Sequence, residues 1–192
     1  MRVIAGELGG RRLKAPGGRG TRPTSDRVRE AVFGMLGDVH GAAVLDLFAG
    51  TGALGIEALS RGACSVVFVE REAATARVLK GNLAELGIAG EAVQVRQTEA
   101  LKALHDASAR QETYDLVFID PPYGRARQTP SASATPIADR WGPRLSAILP
   151  ALLSPGARVV VESDHRAPIA LELAIERSRR YGDTSITIHR HQ

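Results

Sequence analysis

A single cysteine, Cys64, stands in 192 residues, so no intrachain disulfide can form. Next to an apolar run, a lone cysteine is expected to be a small buried hydrophobe rather than a reactive thiol. The five histidines, His40, His105, His165, His189 and His191, fall at no spacing that would gather metal ligands, and no metal site is expected. No window approaches the roughly 18 apolar residues of a membrane span, and the N-terminus carries no apolar signal stretch; a chain of the cytoplasm, off the membrane, is expected. Internal repeats are absent too, which argues against solenoids and propellers. What remains is 44% hydrophobic and 24% charged, the profile of a soluble folded chain, and its length suits one globular domain with at most a short appendage.

The net charge of +4 is unevenly placed. Residues 1–30 carry Arg2, Arg11, Arg12, Lys14, Arg19, Arg22, Arg27 and Arg29 against Glu7, Asp26 and Glu30, whereas the other residues together are close to neutral. A localised basic segment on a neutral body is the electrostatic footprint of a polyanion-binding surface, although a solvated, solubilising terminus has the same composition. Arg11, Arg12, Arg22, Arg27 and Arg29 are the candidate contacts. Gly9, Gly10, Gly17, Gly18 and Gly20 lie among them, and small residues favour close approach of backbone to phosphate.

Residues 3–6 and 12–14 read as two short strands around Gly9-Gly10, a small hairpin. Thr24 or Ser25 can cap a helix in which Val28, Val32, Met35 and Leu36 form a core-facing stripe. From Ala43 the pattern alternates. Strands are expected over 44–48, 65–70, 92–96, 114–120 and 157–162, and helices over 54–60, 73–86, 100–107 and 148–153, with a Ser-Pro-Gly turn before the fifth strand. Residues 171–179 and 184–189 read as a terminal antiparallel hairpin about a Tyr181-Gly182-Asp183 turn. The Pro- and Ser-rich stretch 124–143 is expected to be a loop. The fold class is therefore α/β: an open, mostly parallel sheet with right-handed crossovers and an antiparallel C-terminal strand, preceded by a hairpin-and-helix extension. Residues 1–40 are expected to be the basic extension and 41–192 the α/β domain.

The stretch Asp46-Leu-Phe48-Ala-Gly50-Thr-Gly52-Ala-Leu-Gly55 ends the first strand of the sheet and opens the following helix. GTGALG satisfies G-x-G-x-x-G, which alone also marks dinucleotide sites. Asp46 separates the two readings: a carboxylate just before the turn would repel a pyrophosphate but attract the ammonium and sulfonium of S-adenosylmethionine. Glu70, after the second strand, can accept hydrogen bonds from ribose hydroxyls, and Glu99, after the third, is placed to approach an adenine amino group. The candidate cofactor residues are Asp46, Phe48, Gly50, Gly52, Glu70 and Glu99.

Asp120-Pro121-Pro122-Tyr123 directly follows the fourth strand, at the edge of the sheet where ligands bind in this architecture. Two consecutive prolines force a rigid, extended path. Transfer of a methyl to an exocyclic amine needs the nitrogen lone pair held in line with the departing sulfur. The Asp120 carboxylate and the Pro121 carbonyl can both accept from that amine, and Tyr123 offers a ring for an unpaired base to stack on.

MRVIAGELGGRRL, RPTSDRVREAVF, LDLFAGTGALGIEALSRGA, FIDPPY, VVVES and YGDTSITIHR together resemble the bacterial methyltransferases that modify the N2 amine of a guanine in 16S ribosomal RNA. The resemblance covers nearly the whole chain, and residues 22–30 are its most specific part. It implies a Rossmann-like class I methyltransferase, S-adenosylmethionine as donor, and 16S ribosomal RNA, within a small-subunit assembly particle, as partner; a monomer is expected. Nothing within the tetrapeptide selects guanine. An amino methyltransferase acting on DNA adenine N6 or a protein amide, and an inactive RNA-binding protein of the same fold, remain the alternatives. A DNA enzyme would ordinarily need a sequence-reading module for which this length leaves little room.

Overall fold

The computed structural model describes residues 1–15, 25–122 and 137–192. Arg22 and Tyr123 lie outside them. A seven-stranded sheet has the order β3-β2-β1-β4-β5-β7-β6, where β1 is Ala43–Asp46, β2 Ser65–Val69, β3 Val93–Arg96, β4 Tyr114–Ile119, β5 Leu153–Asp164, β6 Ala174–Tyr181 and β7 Thr184–Arg190. The first five strands are parallel, while β7 pairs antiparallel with both β5 and β6. The expected terminal hairpin forms, with Tyr181 opposite Thr184 across its turn.

Alternate residues of the central strands feed two cores, as expected of strands covered on both faces. Val44, Val66, Phe68, Leu116 and Phe118 face helices α1 (Asp26–Leu36), α2 (Ala53–Ser60) and α3 (Ala73–Glu85). Leu45, Leu47, Val117 and Ile119 face α4 (Ala100–Ala109), α5 (Ile137–Ile148) and a 3-10 turn at Leu149–Leu152. Ser25 is the cap of α1: its Oγ accepts from the Val28 N–H at 3.3 Å. Val32 and Leu36 are buried as the stripe predicts, and Phe33 joins them with its ring 5.7 Å from that of Phe118.

Four expectations need correction. The N-terminal hairpin forms, but shifted and short: Arg2 bridges Arg12, and the Val3, Gly10 and Leu13 N–H groups donate to the Arg11, Val3 and Met1 carbonyls, whereas the Ile4, Ala5 and Leu8 N–H groups turn instead to side chains of α2. Part of the expected 124–143 loop is helical, since α5 begins at Ile137 and continues through Pro143. Trp141, Leu145, Ile148 and Leu149 recur at helical spacing and pack on the second core, an override of local composition by tertiary burial. The Ser154-Pro155-Gly156 segment lies within β5, where a register shift opposite Tyr114 and Leu116 accommodates the proline. Cys64 is exposed in the turn between α2 and β2, and Ala63 takes the buried place beside it.

Candidate active site

The strand order reverses between β1 and β4, so the loops that follow them leave towards opposite faces and open a crevice at the carboxyl edge of the sheet. Asp46 ends β1 in that crevice. Its side chain is buried, and Oδ2 accepts from the Gly55 N–H, in the first turn of α2, at 3.0 Å. Burial pushes the Asp46 carboxyl up to about 7, with the Gly55 bond acting the other way and the nearby Glu70 carboxylate adding to the rise.

The turn between β1 and α2 needs its glycines. Gly50 and Gly52 have φ of 56° and 84°, the left-handed region that side chains disfavour. A Cβ at Gly52 would lie 2.3 Å from Leu79 Cδ1, and one at Gly55 2.3 Å from Phe68 Cε1. A Cβ at Gly50 would meet only the Phe48 carbonyl at 3.9 Å, so backbone there stands open to a ligand. Glu70 follows β2 and braces this turn: Oε2 accepts from the Gly50 N–H at 3.0 Å and Oε1 from the Glu72 N–H at 2.8 Å. Phe48 is half-buried and meets the Trp141 ring edge-on at 4.9 Å, which seats α5 against the loop after β1.

Asp120, half-buried, directly follows β4; Pro121 is buried and Pro122 exposed. The Leu47 N–H donates to the Phe118 carbonyl at 3.0 Å, so the ends of β1 and β4 are stitched together beneath the crevice. Glu99 occupies the N-cap position of α4 without capping it. Largely exposed, it reaches Arg71 at 3.4 Å. The structure thus gathers Asp46, Phe48, Gly50, Gly52 and Glu70 on one turn and its neighbour, with Asp120 and the prolines one strand away.

The basic candidates divide. Arg12 and Arg27 are exposed, and among the described residues neither has an ion pair within 4 Å. Arg11, also exposed, donates from Nη2 to the Glu85 carbonyl at 2.8 Å. Arg29 is a correction. Its side chain is 0% exposed, with Nη2 bonded to Asp26 Oδ1 at 2.7 Å and to the Arg2 carbonyl at 2.5 Å and Nη1 4.0 Å from Glu57 Oε2. A guanidinium so enclosed holds the extension to the body and cannot reach a polyanion.

Three residues that sequence reasoning passed over tie the extension to this region. Glu57, fully buried on α2, accepts from the Ile4 and Ala5 N–H groups at 2.7 and 3.0 Å and from Arg61 Nε at 2.8 Å. Ser60 Oγ accepts from the Leu8 N–H and donates to the Ala5 carbonyl. Asn82, buried on α3, bonds to Lys14 and Thr51. A signal for Glu57 existed: it is the one ionisable residue in the otherwise apolar α2 sequence ALGIEALS.

A family model described as "Conserved hypothetical protein 95" matches residues 1–190. "Putative rRNA methyltransferase YlbH" of Bacillus subtilis is 36% identical over 194 residues, spanning 99% of this chain and 98% of that protein. "Ribosomal RNA small subunit methyltransferase D" of Haemophilus influenzae is 42% identical over 124 residues, an alignment covering 64% of each chain and so under two thirds of that relative. Among solved structures, "Putative methyltransferase yhhF from Escherichia coli" superposes with a TM-score of 0.77 at 30% identity, covering 100% of this chain and 98% of that one.

Proposed function

The chain belongs to the Conserved hypothetical protein 95 family, and on that premise we propose that it transfers a methyl group from S-adenosylmethionine to the exocyclic N2 amine of a guanine in 16S ribosomal RNA. The observation that carries the proposal is the buried Asp46 carboxyl beneath the Gly50–Gly52 turn, with Asp120-Pro121-Pro122 at the end of the adjacent strand. A buried acid whose ionisation is opposed both by desolvation and by a second carboxylate is satisfied by a cation and repels a phosphate. The residues present therefore fit the amino-acid ammonium of S-adenosylmethionine better than a dinucleotide. Asp46 would hold that ammonium, directly or through water, and Glu70 the ribose hydroxyls, while Gly50 and Gly52 let backbone approach and Phe48 walls the site; Glu99 would reach the adenine amine only after leaving Arg71.

When bound, S-adenosylmethionine supplies an electrophilic methyl on its sulfonium. The chain's own task is orientation. Asp120 and the Pro121 carbonyl accept the two hydrogens of the acceptor amine, which points its lone pair away from them, and the carboxylate stabilises the positive charge that develops on nitrogen. Pro122 fixes the path of the chain, and Tyr123 provides the stacking face. A methylated amine that carries positive charge is acidic, and its proton leaves to Asp120 or to water, so no strong base is needed at the outset.

Residues 1–40 serve in this reading as the RNA-contacting extension, with Arg11, Arg12, Arg22 and Arg27 along it, and residues 41–192 as the methyltransferase domain. Val3, Leu13, Val32, Phe33 and Leu36 of the first part share a core with α2 and α3, so the two parts pack as one body. The protein acts as a monomer on RNA in a small-subunit assembly particle in the cytoplasm; among the described residues no helix is long and apolar enough to cross a membrane. The test is transfer of labelled methyl to unmodified ribosomal RNA, naked and in small-subunit particles, with nucleoside analysis. N2-methylguanine at one site is the expected product. Label on adenine, on DNA or on protein would overturn the acceptor, and no transfer with cofactor bound would leave an inactive RNA-binding protein.

A further inference from the structure

We propose that Asn82 is a positioning residue that couples engagement of RNA by the N-terminal extension to engagement of the cofactor by the Gly50–Gly52 turn. The inference rests on the function proposed above. Asn82 lies in the last turn of α3 and is 1% exposed, an unfavourable place for an amide that has no partners. It has three. Oδ1 accepts from the Lys14 N–H at 2.8 Å, and Nδ2 donates to the Lys14 carbonyl at 3.1 Å and to the Thr51 carbonyl at 3.0 Å. One orientation of the amide satisfies all three; the flipped one would set N–H against N–H and oxygen against two carbonyls.

The two partners belong to the two proposed binding elements. Lys14 is held by both of its backbone groups, as a residue in a strand ladder is, and it precedes Arg19 and Arg22 in the sequence of the extension. Thr51 lies between Gly50 and Gly52, the two left-handed residues of the cofactor turn. Leu79, three residues before Asn82 on α3, closes beneath Gly52 at the distance that forbids a Cβ there. One face of one helix thus sets the turn from below and grips the extension beside it. A shift of Lys14 as RNA takes up the extension moves the Asn82 amide, and with it the Thr51 carbonyl, through a single rigid group; ordering of either end lowers the cost of ordering the other. Because coupling between binding equilibria is reciprocal, cofactor in the turn tightens RNA binding by the same factor.

The test measures the dissociation constant of S-adenosylhomocysteine, a non-reactive product, with and without saturating unmodified small-subunit ribosomal RNA. The full-length wild type is expected to bind it about 5-fold or more tightly with RNA present, the lower end of common allosteric couplings. In Asn82→Ala that ratio falls to near one while each ligand still binds. Lys14→Pro, which deletes the donor to Oδ1, should also abolish the ratio, whereas Lys14→Ala, which loses the same side-chain pairing with Glu85 but keeps the backbone donor, retains it. A role confined to stability would lower melting temperature and both affinities and leave the ratio unchanged, and that result overturns the proposal. Wild-type binding of both ligands without coupling overturns it alone; failure of the wild type to bind one of them overturns the proposed function as well.

Discussion

Replacing Asp46 by Asn should stabilise the ligand-free protein and cripple it. Asn is isosteric and keeps an oxygen to accept the Gly55 N–H, so the substitution removes charge and little else. In the folded chain burial raises the Asp46 carboxyl to about 7, against about 3.9 in an unfolded chain. The folded state therefore holds this proton more tightly than the unfolded one. Stability from Asp46 is fully present below about pH 4 and is lost progressively as pH rises through 7, where ionisation disfavours the fold. A rise from about 3.9 to about 7 corresponds to about 4 kcal/mol at pH 8. Asp46→Asn escapes this loss, so its advantage over the wild type should be largest at pH 8, smaller at pH 5 and absent below pH 4. For a chain of this size the gain at pH 8 is on the order of 10 °C in melting temperature. Thermal melts of both proteins without ligand at several pH values measure it, and calorimetric titration with S-adenosylhomocysteine measures the counterpart, a loss of affinity in the variant. In the wild type that affinity should weaken about tenfold per pH unit below 7, where a proton must leave before a cation can be held. An Asn variant no more stable than wild type at pH 8, or one that binds ligand equally well, would refute the assignment of a strained, cation-seeking carboxylate.

Gly55→Ala would press a methyl into Phe68 and Val66, push α2 from the sheet and draw the Gly55 N–H from Asp46; urea unfolding should register a loss of about 1–3 kcal/mol and titration a weaker cofactor site. Glu57→Gln leaves the enclosed Arg29 with Asp26 as its one carboxylate partner among the described residues and should cost about 3 kcal/mol by the same unfolding measurement; an unchanged midpoint would deny Glu57 its place as the anchor of the extension. Arg27→Ala, on the exposed side of α1, should weaken RNA binding and reduce the slope of log affinity against log salt by about 1, with cofactor affinity unaltered. Exchange of Arg29 should lower melting temperature instead, and a pure salt-slope effect there would contradict its burial.

Where chemistry and periodicity coincided, the sequence was legible. Runs such as YDLVFID and SVVFVE can be satisfied only by strands covered on both faces, and G-T-G with an acid before it places a glycine turn at the end of one of them. Asp46, Gly50, Gly52 and Glu70 consequently stand together at the carboxyl edge as expected. Residues whose role depends on distant partners were not legible. Arg29 shares a segment with Arg22 and Arg27, and nothing local distinguishes a cation aimed at solvent from one folded against Glu57, because the difference is made by the topology that brings α1 against α2. Asn82 has the composition of an ordinary helix residue, and its partners at positions 14 and 51 become visible only in three dimensions. The α5 helix was hidden for the converse reason: Pro143 and the polar residues before it signal a loop, and the burial of Leu145 and Leu149 overrides them.

The clamps on the extension also order events during synthesis. Ile4 waits on a carboxylate 53 residues later in the chain, Leu8 on a hydroxyl 52 residues later, and Lys14 on an amide 68 residues later. At the roughly 5–20 residues per second of translation, about 3 to 14 s pass between the making of Lys14 and the making of its partner, before any delay in the exit tunnel. Ile4, Leu8 and Lys14 are thus made well before the groups that hold them, and their clamps cannot close until α2 and α3 have been synthesised.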